Sequence, residues 1–228
     1  MNSGINCRNL SVSFSTGDGK TRTILDNLNA TFPAGRISLV SGAVGTGKTT
    51  LLNVLGGLMR PNAGEVLVAD QAVSRWTGAH RDRWRRQAGI VFQHYHLLYD
   101  LTVLENVMLP LIPRGYTLAE CRRRSKAALG KVALLHQAGS RAGTLSGGER
   151  QKTAIARALV ARPSFVFADE PTAHQDPENV ERIMNLLADC ARRNAVVVVA
   201  THAALPLMLP VAPIRFRLDN GTLHPLDL

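Results

Sequence analysis

Ile37-Ser38-Leu39-Val40 runs directly into Ser41-Gly42-Ala43-Val44-Gly45-Thr46-Gly47-Lys48-Thr49-Thr50, and the chain continues as Leu51-Leu52-Asn53-Val54-Leu55-Gly56. An apolar strand, a glycine-rich turn and a helix start follow one another without a spacer, as in the first unit of a parallel α/β sheet. From Gly42 to Thr49 the residues satisfy G-x-x-x-x-G-K-[ST]. The glycines let successive backbone N–H groups turn toward one anion, and the helix N-terminus adds the positive end of its dipole. On this reading Gly42, Ala43, Val44, Gly45, Thr46, Gly47, Lys48, Thr49 and Thr50 surround nucleotide phosphates. Lys48 reaches the β and γ phosphates, and Thr49 offers its hydroxyl to Mg²⁺. The alternative, a glycine-rich turn opening an ordinary helix, leaves a complete motif in its proper setting unexplained.

Such a loop needs a carboxylate for the metal. Phe165-Val166-Phe167-Ala168-Asp169-Glu170 is an apolar strand ending in two acids. Asp169 is expected to hold Mg²⁺, through water, which frees Glu170 to orient or polarise the attacking water in an in-line displacement.

Just before that strand lies Leu145-Ser146-Gly147-Gly148-Glu149-Arg150-Gln151, leading into Lys152-Thr153-Ala154-Ile155-Ala156-Arg157-Ala158-Leu159-Val160. Two glycines at a second helix N-terminus make another phosphate cradle. Here the chain resembles the ABC ATPase family, whose signature is LSGGERQ. The resemblance runs along almost the whole chain. It implies one α/β ATP-binding domain over 1–228, a P-loop core with an N-terminal antiparallel β-subdomain and a helical insertion near 94–160. It also implies that Ser146, Gly147, Gly148 and Glu149 bind the γ-phosphate held by a second copy of the chain, so that two copies sandwich two ATP molecules head to tail. Gln93, after Gly89-Ile90-Val91-Phe92, matches the glutamine that senses the metal and touches the membrane partner. Asp176 matches the acid of the loop across the dimer, and His202 the switch histidine on the γ-phosphate. The catalytic set is then Lys48, Gln93, Glu170 and His202, and the metal set Thr49, Gln93 and Asp169. Phe14 sits where the family places an aromatic ring on adenine, although strand alternation makes it equally a core residue.

Within the family, Phe92 to Val107 followed by Met108-Leu109-Pro110-Leu111 resembles the branch of lipoprotein-release, macrolide-export and cell-division ATPases. That branch implies an integral membrane permease as partner and a peripheral place at the cytoplasmic face of the inner membrane. The output is transport or mechanical signalling. His94-Tyr95-His96-Leu97-Leu98-Tyr99 carries more apolar bulk than a solvent loop needs, and is expected to receive the partner. Ala43-Val44 in the loop, His174-Gln175 before Asp176 and Ala203 after His202 depart from the branch pattern.

The rest of the chain bounds these readings. Its 228 residues, 45% hydrophobic, suit one α/β core with a small helical insertion. A net charge of +10 suits an anionic partner, and Arg81, Arg83, Arg85, Arg86 and Arg122 to Arg124 read as solvated helix faces that would also favour an anionic membrane surface. The charge keeps a nucleic-acid-acting ABC ATPase in view as the rival, but a compact stretch without heptads or a Cys/His cluster separates loop and signature, which disfavours nucleic acid. Cys7, Cys121 and Cys190 form no C-x-x-C pair, and no export signal is expected at the N-terminus. The apolar run 195–213 contains prolines and a histidine, so Val196 to Ala200 is expected as a buried strand rather than part of a membrane span. Antiparallel strands are expected over Leu10 to Phe14 and Thr23 to Phe32, joined through Gly17-Asp18-Gly19. A capping box at Thr117 and Glu120 should open a helix running on through Cys121 to Leu135, and Asp176-Pro177 should open another, with Val180, Ile183, Met184, Leu187 and Cys190 as its apolar stripe.

Overall fold

A computed structural model describes residues 4–17, 19–173, 175–202 and 212–226. The phosphate-loop strand, β3 (Ile37–Ser41), is central to a six-stranded sheet. Its neighbours are β8 (Val196–Thr201) and β9 (Ile214–Asp219), both parallel to it. β7 (Phe165–Asp169) and β6 (Ala88–Val91) extend the parallel side, and β10 (Thr222–Leu226) closes the other edge antiparallel to β9.

Period-two alternation sorts these strands onto two cores. Ile37, Leu39, Val166, Ala168, Val197 and Val199 face one cluster, which also holds the inward residues of α3 (Val103–Met108), α4 (Leu118–Lys131), α5 (Gly147–Leu159) and α6 (Pro177–Arg192). Val40, Phe165, Phe167, Val196, Val198 and Ala200 face the other, shared with α1 (Lys48–Leu55) and Trp84 of α2 (Gly78–Gln87). Every residue of β7 and β8 is buried, so these strands are continuous apolar runs, as parallel strands covered on both faces must be. Each fully buried Val or Phe contributes about 1.5–3 kcal/mol. The second cluster also takes in the inner face of a four-stranded antiparallel sheet, ordered β2 (Thr21–Phe32), β1 (Ile5–Ser15), β4 (Ala63–Val68), β5 (Gln71–Ala72).

β1 is longer than its hydrophobic pattern suggested, because register shifts after Cys7, Leu10 and Val12 interrupt the alternation that the sequence displays. β4 and β5 join this sheet from beyond the phosphate loop, a pairing that no local pattern announces. Asp18, in the expected turn, lies outside the described residues.

The capping box at Thr117 and Glu120 is present, but the helix stops at Lys131 and does not reach Leu135. Ala133 takes a left-handed φ of 53°, and Leu134 N–H donates to the Leu129 carbonyl, which closes the helix end. The turn puts both Val132 and Leu134 into the core, where a continued helix would separate them by 200° of rotation, roughly. α6 begins as expected, with Asp176 as N-cap and Pro177 in the first turn; Ile183, Met184, Leu187 and Cys190 are buried and Val180 packs against them. The expected strand Val196 to Ala200 is β8; residues 203–211 of the apolar run lie outside the described residues. Among the described residues no helix is long and apolar enough to cross a membrane. Cys7, Cys121 and Cys190 are buried free thiols, and burial pushes Cys7 up to about 12.

Candidate active site

The carboxyl ends of the parallel strands meet at one edge, since Ser41 pairs with Thr201, Asp169 with Ala200 and Val91 with Ala168. In open α/β sheets this edge is where ligands bind. Gly47 has a φ of 103° and caps α1 without a side-chain hydrogen bond. A Cβ there would lie 2.7 Å from Ile24 Cγ2, so both the turn and the packing require glycine. Lys48 is only 8% exposed, and its ammonium donates to the carbonyls of Gly42 (2.8 Å) and Ala43 (2.9 Å), bent back across the loop. Thr46 Oγ1 donates to the Ala43 carbonyl at 3.0 Å and braces the same turn.

Thr49 Oγ1 donates to Asp169 Oδ2 at 2.5 Å, joining the loop helix to the acidic strand. Burial pushes the Asp169 carboxyl above its ordinary value of 3.8; the Glu170 carboxylate adds to this, while the Thr49 hydrogen bond and the Lys48 charge oppose it. A buried acid beside a second acid, with a hydroxyl at hydrogen-bond distance, is a hard-oxygen set short of positive charge, and a divalent cation fits it. Glu170 is 6% exposed, with a left-handed φ of 48°, and its N–H donates to the Ala200 carbonyl. Its Oε1 accepts from the His202 backbone N–H at 2.8 Å and lies 2.7 Å from His202 Nδ1.

A cleft of about 330 Å³ brings together Phe14, Val44, Gly45, Gly47, Lys48, Thr49, Thr50, Gln93, Asp169, Glu170 and His202. Phe14 is 42% exposed there, so it is not a core residue of β1. Gly42, Ala43 and Thr46 belong to the same loop but are not in the wall of this cleft. A neighbouring cleft of about 390 Å³ shares Thr49, Gln93 and Asp169 and adds the apolar wall of Leu52, Leu58, Met59 and Phe92. Beyond it Leu97 is buried with Ala142 and Ala154, whereas Leu98 and Tyr99 are 52% and 50% exposed.

Ser146, Gly147, Gly148, Glu149 and Asp176 are not in the wall of the phosphate-loop cleft. Ser146 and Glu149 close a capping box on α5: Ser146 Oγ and N–H both donate to Glu149 Oε2, at 2.7 and 2.9 Å. These bonds hold the Glu149 carboxyl below its ordinary range, so the anion-binding capacity at this point lies in Ser146 and the glycine N–H groups. Asp176 accepts from Asn179 N–H and Nδ2 at 2.8 and 2.6 Å. Gln175 Nε2 donates to the Gly148 carbonyl at 3.5 Å, while His174 and Ala203 lie outside the described residues.

Sequence reasoning did not single out Arg22 and Ile24, which reach the cleft because β2 pairs with β1 with Phe14 opposite Arg22. It also did not assign a role to Gln151, which is 1% exposed and whose amide donates to the carbonyls of Pro171 (2.9 Å) and Glu170 (3.4 Å). A polar residue on the buried stripe of α5 was its one visible signal.

The family model described as ABC transporter matches residues 25–173. The chain is 42% identical over 200 residues to a lipoprotein-releasing system ATP-binding protein of Saccharophagus degradans, covering 87% of each. It is 40% identical over 210 residues to an uncharacterized ABC transporter ATP-binding protein of Mycobacterium bovis, covering 92% of this chain but only 63% of that relative. The solved dimeric bacterial ABC transporter cassette MJ0796 superimposes with a TM-score of 0.90 at 31% identity, over 98% of this chain and 99% of that one. A post-hydrolysis dimer of the same cassette, bound to ADP and Pi, gives 0.89 at 30% identity, over 98% and 99%.

Proposed function

The chain belongs to the ABC transporter ATP-binding family, and from that premise we propose that it is the ATP-hydrolysing subunit of a head-to-tail dimer that drives an integral membrane permease. The observation that carries this reading is the division of the phosphate-binding groups within one chain. Lys48, Asp169, Glu170 and His202 line one cleft, while the capped N-terminus of α5 stands outside it. A second copy with its Ser146 to Gly148 turned toward the cleft completes the enclosure, and the similarity to a dimeric cassette supports that arrangement.

In this reading the loop N–H groups and Lys48 bind the β and γ phosphates of ATP, and the half-exposed Phe14 ring supports the base. Mg²⁺, held by Thr49, Asp169 and Gln93, supplies charge neutralisation of the phosphates. Glu170 accepts the proton of the attacking water through Oε2, and His202 fixes that carboxylate in place by its two contacts to Oε1. The exposed Leu98 and Tyr99 beside the Gln93 cleft present the surface for the permease. The likeness to a lipoprotein-releasing ATPase over 87% of both chains supports a partner of that class, and a place at the cytoplasmic face of the inner membrane. Exposed Arg122 and Arg123 on α4 suit an anionic lipid surface.

Lys48→Ala removes the cation bent across the phosphate loop and is expected to abolish MgATP hydrolysis by the purified chain, read as phosphate release. Hydrolysis at the parent rate would overturn the proposal.

A further inference from the structure

Helix α5 does more than present the signature turn at its N-terminus. From its first half, the buried Gln151 amide holds the carbonyls of Glu170 and Pro171. From its second half, Arg157 Nη1 donates to the His96 carbonyl at 2.6 Å and Nη2 to the Tyr95 carbonyl at 2.5 Å. The two side chains are about 9 Å apart along the axis and about 120° apart around it, so they leave the helix on different faces. Three of the residues held in this way, Tyr95 (60°), His96 (46°) and Glu170 (48°), have left-handed φ values that L side chains adopt at a cost. Backbone of that kind persists only where its surroundings fix it, and here α5 supplies donors to both loops, alongside the Ala173 N–H that also reaches the Glu170 carbonyl.

There is little slack elsewhere. A Cβ on Gly89, in the strand that leads to Gln93, would lie 2.3 Å from the Ala158 carbonyl, so β6 and α5 meet backbone to backbone. Burial lowers the Arg157 pKa, and among the described residues this guanidinium has no carboxylate within ion-pair distance. Desolvating a cation for two loop carbonyls is a poor way to add stability, which points to a role in placing the loop.

We propose that Arg157 and Gln151 are positioning residues that make α5 a rigid rod, tying the loop after Gln93 to the backbone that carries Glu170. A displacement of the Gln93 loop by the permease is then delivered to the catalytic carboxylate, and to the signature turn on the same helix, without passing through the nucleotide. The inference rests on the ATPase reading above.

Arg157→Lys keeps a cation but can satisfy the two diverging carbonyls less well, and Gln151→Met keeps volume without the donor. In steady-state hydrolysis by the full chain, each is expected to lower kcat about tenfold, with KM for MgATP within about twofold of the parent. Because both lie in one series of contacts, the double variant should be no slower than the slower single variant, within about twofold. Multiplied effects in the double variant, or a raised KM with kcat unchanged, would overturn the rod. Hydrogen exchange on Gln151→Met supplies a readout if Arg157→Lys does not fold. Release of one end should speed exchange of the 94–97 amides, which the mutated side chain does not touch, and unchanged exchange there overturns the proposal. Lys48→Ala separates the two levels. If it hydrolyses like the parent, the ATPase reading has failed; if it is inactive and the double variant multiplies, only the rod has failed.

Discussion

Glu170 is the side chain on which the proposed hydrolysis turns. It is buried, its backbone is in the left-handed region, and Oε1 is shared between the backbone and ring of His202. Oε1 is thereby committed to orientation, which leaves Oε2 for water. Glu170→Gln retains the shape and an oxygen that can accept from His202, but an amide cannot take a proton from water. The expected result is MgATP binding close to that of the parent, with hydrolysis slowed by a factor of about 10² or more. Trapped ATP should then hold two chains together as a dimer visible by size-exclusion chromatography. A variant that turns over at the parent rate would remove Glu170 from the role of base.

At the scale of the element, the loop between β6 and α3 shows how a buried polar residue can present an apolar surface. Asn106 of α3 is fully buried; its Oδ1 accepts from Leu98 N–H and its Nδ2 donates to the Leu98 carbonyl, both at 2.9 Å. The Leu98 backbone is thus clamped while its side chain stays half exposed, and Leu97 next to it turns into the core. The two leucines, indistinguishable by type, have opposite duties. Leu98→Asp is therefore expected to leave the thermal melting of the isolated chain within about 2 °C of the parent. Its ATPase activity alone should be unchanged, while co-purification with the membrane partner is lost, because docking would bury an unpaired carboxylate. Unfolding of the isolated variant, or normal partner binding, would refute the docking surface.

The whole molecule carries a pH dependence written into its helix starts. Glu105, Glu120, Glu149 and Asp176 all accept hydrogen bonds at helix N-termini, and these bonds hold each carboxyl below its ordinary value. Folded values that lie below unfolded ones mean that the unfolded chain binds protons first as pH falls. Their stabilisation is complete above the unfolded value, about 4, and is lost as pH falls through the folded value. Asp169 runs the other way, since burial raises it, but it is one acid against four. The net charge of +10 grows more positive over the same range, and self-repulsion adds to the loss. The urea midpoint of the ligand-free chain should fall between about pH 5 and about pH 3, with a shallower fall in Glu120→Gln. A midpoint that rises toward about pH 3 would contradict the capping assignments.

The segments proposed to handle phosphate, metal and water could be picked out in the sequence, because each is a short stretch whose chemistry depends on local backbone. A glycine-rich turn before Lys48, an apolar strand ending at Asp169 and a two-glycine helix start at Ser146 need no distant contact to be recognised. The capping box at Thr117 and Glu120 and the two buried strands were legible for the same reason, whereas the boxes at Thr102 and Ser146 were not singled out. What only the tertiary structure decided depends on pairings between segments far apart in the chain. Register across β1 and β2 brings Arg22 to the cleft, and β4 crosses from beyond the phosphate loop to complete the first sheet. The end of α4 depends on where Val132 and Leu134 find the core, the opposite fates of Leu97 and Leu98 on the clamp from Asn106, and the reach of Gln151 and Arg157 on how α5 packs against two loops. Sequence sets the chemistry each segment can perform; the packing of the two cores sets which segments meet.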